Sequence, residues 1–318
     1  MVERNISLDI LKLIMACMVV ALHAEFLQDF SELGRYLTVN GIFRMAVPIF
    51  LLINGFYFYS IFIANNQRAW FKKVLILYFF WMAVYSWLWF YIPDLSVFGV
   101  AQFVFRFLIG FWHLWYLSGL LGAALILMLL RKLSSFYLWF LIALTFSAGV
   151  FIQYVGHYHL SENPLVDHVF NLPWFHRNFL VFSFPFFCAG FLIHKQALHL
   201  AITANAALVL TLLGVGLLIA EAYFNFRHPN SDRYFDNLAA LLVACPACFI
   251  FFVKLRIEGR SRLVALYSSA IYYIQGYVLI ALSHYIPLGS WLALAGIVLS
   301  IVAAAVVIAL NRQLRFIL

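Results

Sequence analysis

Charge is scarce in this chain. Asp, Glu, Lys and Arg make up 10% of its 318 residues, while 66% are hydrophobic and the mean hydropathy is +0.99; an average soluble domain is about 25% charged. That scarcity excludes a soluble globular protein. Cysteine is also rare: Cys17, Cys188, Cys245 and Cys248 each lie inside an apolar run, and no segment between runs holds two of them, so no structural disulfide is expected. No internal repeat, low-complexity tract or Pro/Gly/Ser-rich linker divides the chain, which therefore reads as one domain over residues 1–318. A glycine-rich phosphate loop and a dinucleotide fingerprint are missing too. The net charge of +8 comes from short basic clusters between apolar runs rather than from one helix face. This excludes a nucleic-acid-binding stripe and reads as a set of topology signals.

Long apolar runs are what the chain has instead. A helix needs about 20 apolar residues to cross a bilayer, and runs of that kind lie near 6–24, 41–63, 74–92, 111–130, 135–155, 178–194, 198–220, 237–253, 263–284 and 288–310. The fold class is accordingly all-α, a polytopic membrane protein of about ten transmembrane helices. Arg4, the stretch from Leu13 to Leu22 and Ala24 resemble a cleaved leader, but Leu22 is too bulky for the cleavage site and Asp9 and Lys12 interrupt the pattern; the segment is kept as the first span. Fourteen of the twenty Lys and Arg residues fall on alternate connections, including Arg68, Lys72, Lys73, Arg131, Lys132 and Arg260. The opposite connections hold six, among them Arg233, together with nine of the twelve acids. By the positive-inside rule both termini are cytoplasmic.

Ionisable groups inside spans are costly and are functional candidates by default. Lys12 and His23 are eleven residues apart, about three turns plus 20°, so they share one helix face about 16 Å apart, with Ala16 and Val19 between them. That stripe suits a passage; alternatively Lys12 pairs with Asp9 and His23 marks the interface. Arg44 in the second span, His113 at the start of the fourth and Arg177 before the sixth fall at the depth of His23. Histidine exchanges protons near neutral pH and arginine stabilises an oxyanion, so this layer suits acyl transfer to a hydroxyl. On the other side, Arg68, Lys72 and Lys73 either report topology or hold the phosphates of a cytosolic donor. Pro48 and Gly55 read as close packing or a kink. Cys245-Pro-Ala-Cys248 has redox spacing without redox context and reads as packing. His157, His159, His168 and His176 read as a solvated loop, and no metal site is expected.

The motifs resemble the acyltransferase 3 family of bacterial membrane enzymes that acylate surface saccharides. Leu8-Asp9, Lys12 and His23 are similar to its opening pattern, and Arg44, Val47-Pro48 and Asn54-Gly55-Phe56 to its second-span pattern, with Asn54 where serine is frequent. His113-Leu114-Trp115 and Arg177 followed by Pro185-Phe186-Phe187 and Gly190 extend the likeness. Ser268, Ile271 and Tyr272 follow a further pattern, but Gln275 stands where members often have histidine. The resemblance implies a short, stand-alone acetyltransferase of the bacterial inner membrane, using cytosolic acetyl-CoA and a saccharide or lipid-linked glycan acceptor. It implies catalytic roles for His23, Arg44 and His113, donor binding by Lys12, Arg68, Lys72 and Lys73, and substrate binding by Arg177, Asn54 and Tyr272. His23 would be a general base or transient acyl carrier. The acid that orients it is not apparent, because Glu25 faces elsewhere if the helix continues. A transporter or flippase of a lipid-linked saccharide is the rival class, although neither a repeat nor paired interrupted helices supports it. The membrane-bound O-acyltransferase fold fits the opening motif poorly.

Overall fold

A computed structural model describes residues 4–229, 231, 234–259 and 261–318; Arg233 and Arg260, both counted in the charge asymmetry, lie outside the described residues. The helices run α1 (Ser7–His23), α2 (Glu32–Val39), α3 (Ala46–Ile63), α4 (Gln67–Val84), α5 (Ser86–Trp89), α6 (Val97–Ile109), α7 (Trp115–Leu129), α8 (Ser135–His157), α9 (Pro164–Phe170), α10 (Pro173–His176), α11 (Phe184–Lys195), α12 (Leu198–Ala201), α13 (Ala204–Arg227), α14 (Leu241–Lys254), α15 (Leu263–Ser283) and α16 (Ser290–Leu314). A two-residue antiparallel pairing of Arg4–Asn5 with Glu258–Gly259 ties the start of α1 to the connection after α14. The all-α expectation agrees with this architecture.

Among the described residues, seven helical stretches are long and apolar enough to cross a membrane, and each overlaps one of the ten expected runs. The other three runs also form helices, but α1 has 17 residues and carries Asp9 and Lys12, α14 has 14, and α4 starts with Arg68, Lys72 and Lys73 in its first two turns. Helix α4 begins at Gln67, earlier than the apolar run suggested, because the polar first turns continue the same helix. The run near 198–220 begins late for the opposite reason. Thr203 caps α13 by accepting from the Ala206 N–H at 3.2 Å, and Leu198 belongs to the separate turn α12.

Close helix packing sets the scaffold. Helix α3 lies against α11, α13 against α14, and α15 against both α1 and α16. At the α3–α11 contact two glycines face each other's backbone: a Cβ on Gly55 would stand 1.9 Å from the Phe187 carbonyl oxygen, and one on Gly190 2.1 Å from that of Leu52. Small residues allow this approach where lipid supplies no hydrophobic drive between helices. Gly55 is thus a packing residue. Pro48 sits in the first turn of α3, where its missing N–H costs no helical bond, after a tighter 3₁₀ turn at Ile42–Met45. Cys245 and Cys248 are buried free thiols beside Pro246 within α14, in keeping with packing. Outward-facing side chains such as Leu294, Val298 and Val302 on α16 are exposed and apolar, as a lipid-facing surface requires.

Candidate active site

Helix α1 ends at His23. The chain then turns sharply, with Glu25 at φ 56° in the left-handed region, so Glu25 does not continue the helix. It lines the same cavity as His23, contrary to the reading of a continuing helix, and its carboxylate accepts from Arg35 Nη1 at 2.7 Å. The cavity measures about 670 Å³ and is also bordered by Arg44, Trp112, His157, His176, Arg177 and Asp236. Trp112 packs its ring against His23, with centroids 4.9 Å apart.

An acid that the motif pattern did not reveal lies at this cavity: Asp236, on the connection between α13 and α14, which faces the two arginines. Arg44 Nη1 donates to one of its oxygens, and Arg177 Nη1 donates to the other at 3.3 Å. Arg44 also donates to Asn40 Oδ1 at 2.8 Å, and the Arg177 guanidinium lies 5.0 Å over the Trp115 ring. Burial alone would raise the Asp236 pKa, but Arg177 and Arg44 outweigh it and hold the carboxyl well below the usual carboxylate range. The group is therefore an anion set between two cations. Its backbone is held as firmly: the N–H groups of Asp236 and Asn237 both donate to Gln153 Oε1, at 2.9 and 3.0 Å, and Asn237 Nδ2 donates to the His176 carbonyl at 2.7 Å.

A smaller chamber of about 60 Å³ adjoins this cavity, sharing His23, Arg44, Arg177 and Asp236 and adding His113 and Tyr272. His113 is 2% exposed, and neither ring nitrogen has a well-formed hydrogen bond. Its backbone carbonyl accepts from the Tyr272 hydroxyl at 2.6 Å, which ties α15 to the turn before α7. Tyr272 also lines a third cavity of about 300 Å³ at the Lys12 end of α1, together with Lys73, Asn54, Tyr116, Ser268 and Ser269. Lys12 keeps its ion pair with Asp9 at 3.0 Å while lining that cavity.

The structure therefore brings His23, His113, Arg44, Arg177 and Tyr272 to one place, and Lys12, Lys73, Asn54 and Tyr272 to another. Asn54 departs from the His23 layer because it lies ten positions beyond Arg44 along the α3 direction; its amide donates to the Tyr116 hydroxyl at 2.8 Å. Arg68 and Lys72 are exposed and line neither region, since helical periodicity turns them about 140° and 100° away from Lys73. The solvated-loop reading holds for exposed His168 and for His159, which pairs with Asp167 at 3.0 Å, but fails for His157 and His176. Those two are 7% and 2% exposed, because α9 and α10 fold back over the end of α8, where Gly156 admits the Phe170 backbone. Asp236, Asn40 and Gln153 were missed. The one available signal was an acid just before an apolar run, on the side of the chain that carries Arg44 and Arg177.

The chain is 32% identical to a serine/alanine racemase of Enterococcus gallinarum over 75% of its own length and 36% of that protein. It is 25% identical to an amino-acid racemase of Enterococcus faecalis over 99% of its length and 47% of that protein, so it spans less than half of these curated relatives. No solved structure matches it significantly. The profile of the acyltransferase 3 family, described as an acyltransferase domain, matches residues 5–310. With the motif residues gathered around two adjoining cavities and the profile covering nearly all of the sequence, the chain belongs to the acyltransferase 3 family.

Proposed function

We propose that this protein is a membrane O-acyltransferase of the bacterial inner membrane, with cytoplasmic termini, that moves an acetyl group from cytosolic acetyl-CoA to a hydroxyl of a surface or lipid-linked saccharide. The observation that carries the reading is the adjacency of two chemically different cavities across Tyr272: one with His23, Arg44, Arg177 and Asp236, the other with Lys12 and Lys73. The cavity of about 300 Å³ is at the lower end of small-molecule sites and suits the acyl-bearing arm of the donor, with the two lysines toward its phosphates.

In this reading the His23 imidazole accepts the proton of the acceptor hydroxyl as its oxygen attacks the thioester carbonyl. The carbonyl oxygen gains negative charge beside the Arg44 and Arg177 guanidinium groups, which Asp236 holds in place. The tetrahedral intermediate collapses with cleavage of the C–S bond, and the imidazolium returns its proton to the departing thiolate. His113, buried against the same chamber, orients the reacting groups.

Purified protein in lipid, given radiolabelled acetyl-CoA and extracted surface glycan, tests this. Label should enter glycan with release of free CoA, and His23→Ala should abolish both while melting like wild type. A folded His23→Ala protein with wild-type transfer would remove His23 from the mechanism. The relatives named as racemases add serine to the acceptor panel, because it offers a hydroxyl. A second reading, substrate translocation, draws on the end-to-end placement of the two cavities. Uptake into proteoliposomes without acyl-CoA turnover would favour it.

A further inference from the structure

The two cavities share Tyr272 on α15, and on the Lys12 side its ring packs against Phe50 on α3 and Tyr116 on α7. Their centroids form a near-equilateral triangle, 6.0 Å from Phe50 to Tyr116, 5.7 Å from Phe50 to Tyr272 and 5.6 Å from Tyr116 to Tyr272. These are contact distances for aromatic pairs, so the triangle is closed. All three rings are buried, at 7%, 6% and 5% exposure. Two are pinned through their hydroxyls, Tyr116 accepting from Asn54 at 2.8 Å and Tyr272 donating to the His113 carbonyl at 2.6 Å. Phe50 is the ring of the three without a polar group to tether it. On the His23 side of Tyr272 the chamber measures about 60 Å³, against about 300 Å³ on the Lys12 side, and its apolar wall includes Val47 and Phe182. A space of that size takes a few water molecules or a short acyl group.

We propose that Phe50, Tyr116 and Tyr272 are the acyl-selecting constriction of this enzyme, passing a two-carbon acyl group toward His23 and rejecting longer and branched ones. The inference rests on the acyl-transfer reading above, in which the thioester carbonyl must travel from the lysine side to the histidine side. Selection is by girth at the rings and by length in the chamber: a branched chain demands a larger displacement of Phe50, and a longer one meets Phe182. A single methylene in an apolar pocket changes rates by roughly 10-fold to 200-fold, so a fitted chamber discriminates strongly.

The test is a donor series of acetyl-, propionyl-, butyryl- and isobutyryl-CoA with extracted surface glycan, read as label transfer and CoA release. Wild type, Phe50→Ala and the milder Phe50→Leu are reconstituted in lipid, with melting curves to establish folding. Wild type should prefer acetyl over butyryl and isobutyryl by roughly tenfold or more. The Phe50 variants should compress that ratio at least fivefold, isobutyryl gaining most. An unchanged ratio in either folded variant, or a wild type that uses isobutyryl as well as acetyl, overturns the constriction while leaving acyl transfer standing. No turnover of any donor by folded wild type overturns the acyl-transfer reading and the constriction with it.

Discussion

Replacing Asp236 by Asn removes the negative charge shared by Arg44 and Arg177 and leaves a side chain of the same shape. The Arg44 side chain is 10% exposed and that of Asp236 14%, so this pair is largely cut off from water. Two unit charges about 4 Å apart at an effective dielectric near 20 interact by about 4 kcal/mol, and breaking a buried pair on one side costs about 3–5 kcal/mol because the remaining charge is stranded. Arg177 is 32% exposed and rests on Trp115, so its contribution is screened to at most about 1 kcal/mol. The expected loss is about 3 kcal/mol in stability. Turnover should fall about 100-fold, the usual consequence of displacing a positioned group by about 1 Å. Arg44→Ala should destabilise less, since Asp236 keeps Arg177. Melting in detergent and label transfer from acetyl-CoA are read on the same samples. An Asp236→Asn protein that melts like wild type and turns over within twofold of it would refute the claim that this carboxylate organises the site.

Three further outcomes follow from the geometry. Gly55→Ala puts a methyl group 1.9 Å from a backbone oxygen of α11 and should strongly lower the melting temperature, whereas Gly216→Ala, with open space around it, should be neutral or stabilising by up to about 1 kcal/mol; equal melting of the two would contradict the α3–α11 packing. Lys12→Ala and Lys73→Ala should raise the KM for acyl-CoA, with Arg68→Ala and Lys72→Ala within twofold of wild type; a uniform effect of all four would indicate general surface charge instead of a donor site. For pH, the folded-state pKa of Asp236 lies below its unfolded value of about 3.9, so its stabilisation is fully present above that value and is lost as pH falls through the folded one. The melting difference between wild type and Asp236→Asn should stay constant from about pH 8 to 5 and shrink only below about pH 4.

Much of the local order was written in the chain. Apolar runs of bilayer length marked where helices form, and helical periodicity put Lys12 and His23 on one face of α1, each now at a cavity. Arg44, His113 and Arg177 were identifiable because an ionisable group in or beside an apolar run is expensive wherever the run packs. Both kinds of signal depend on neighbours within a few turns.

The rest needed the tertiary structure. Asp236 comes from a connection about 190 residues beyond Arg44, and no periodicity links them; only the packing of α13 and α14 beside α2 and α3 brings the carboxylate to the guanidinium. His157 and His176 looked solvated because polar loop residues usually are, and they became walls of the cavity when two short helices folded back over them. Lys73 could not be separated from Lys72 until the rotation of α4 against α3 and α7 was known. By itself the sequence determined that the long apolar runs are helical and which residues carry charge beside them, because those follow from local transfer energies, whereas α2, α6 and α9 lie outside every such run. Which charges meet, and that three rings from α3, α7 and α15 pack on one another where Tyr272 joins the two cavities, was decided by long-range packing, which brings together side chains that no local signal connects.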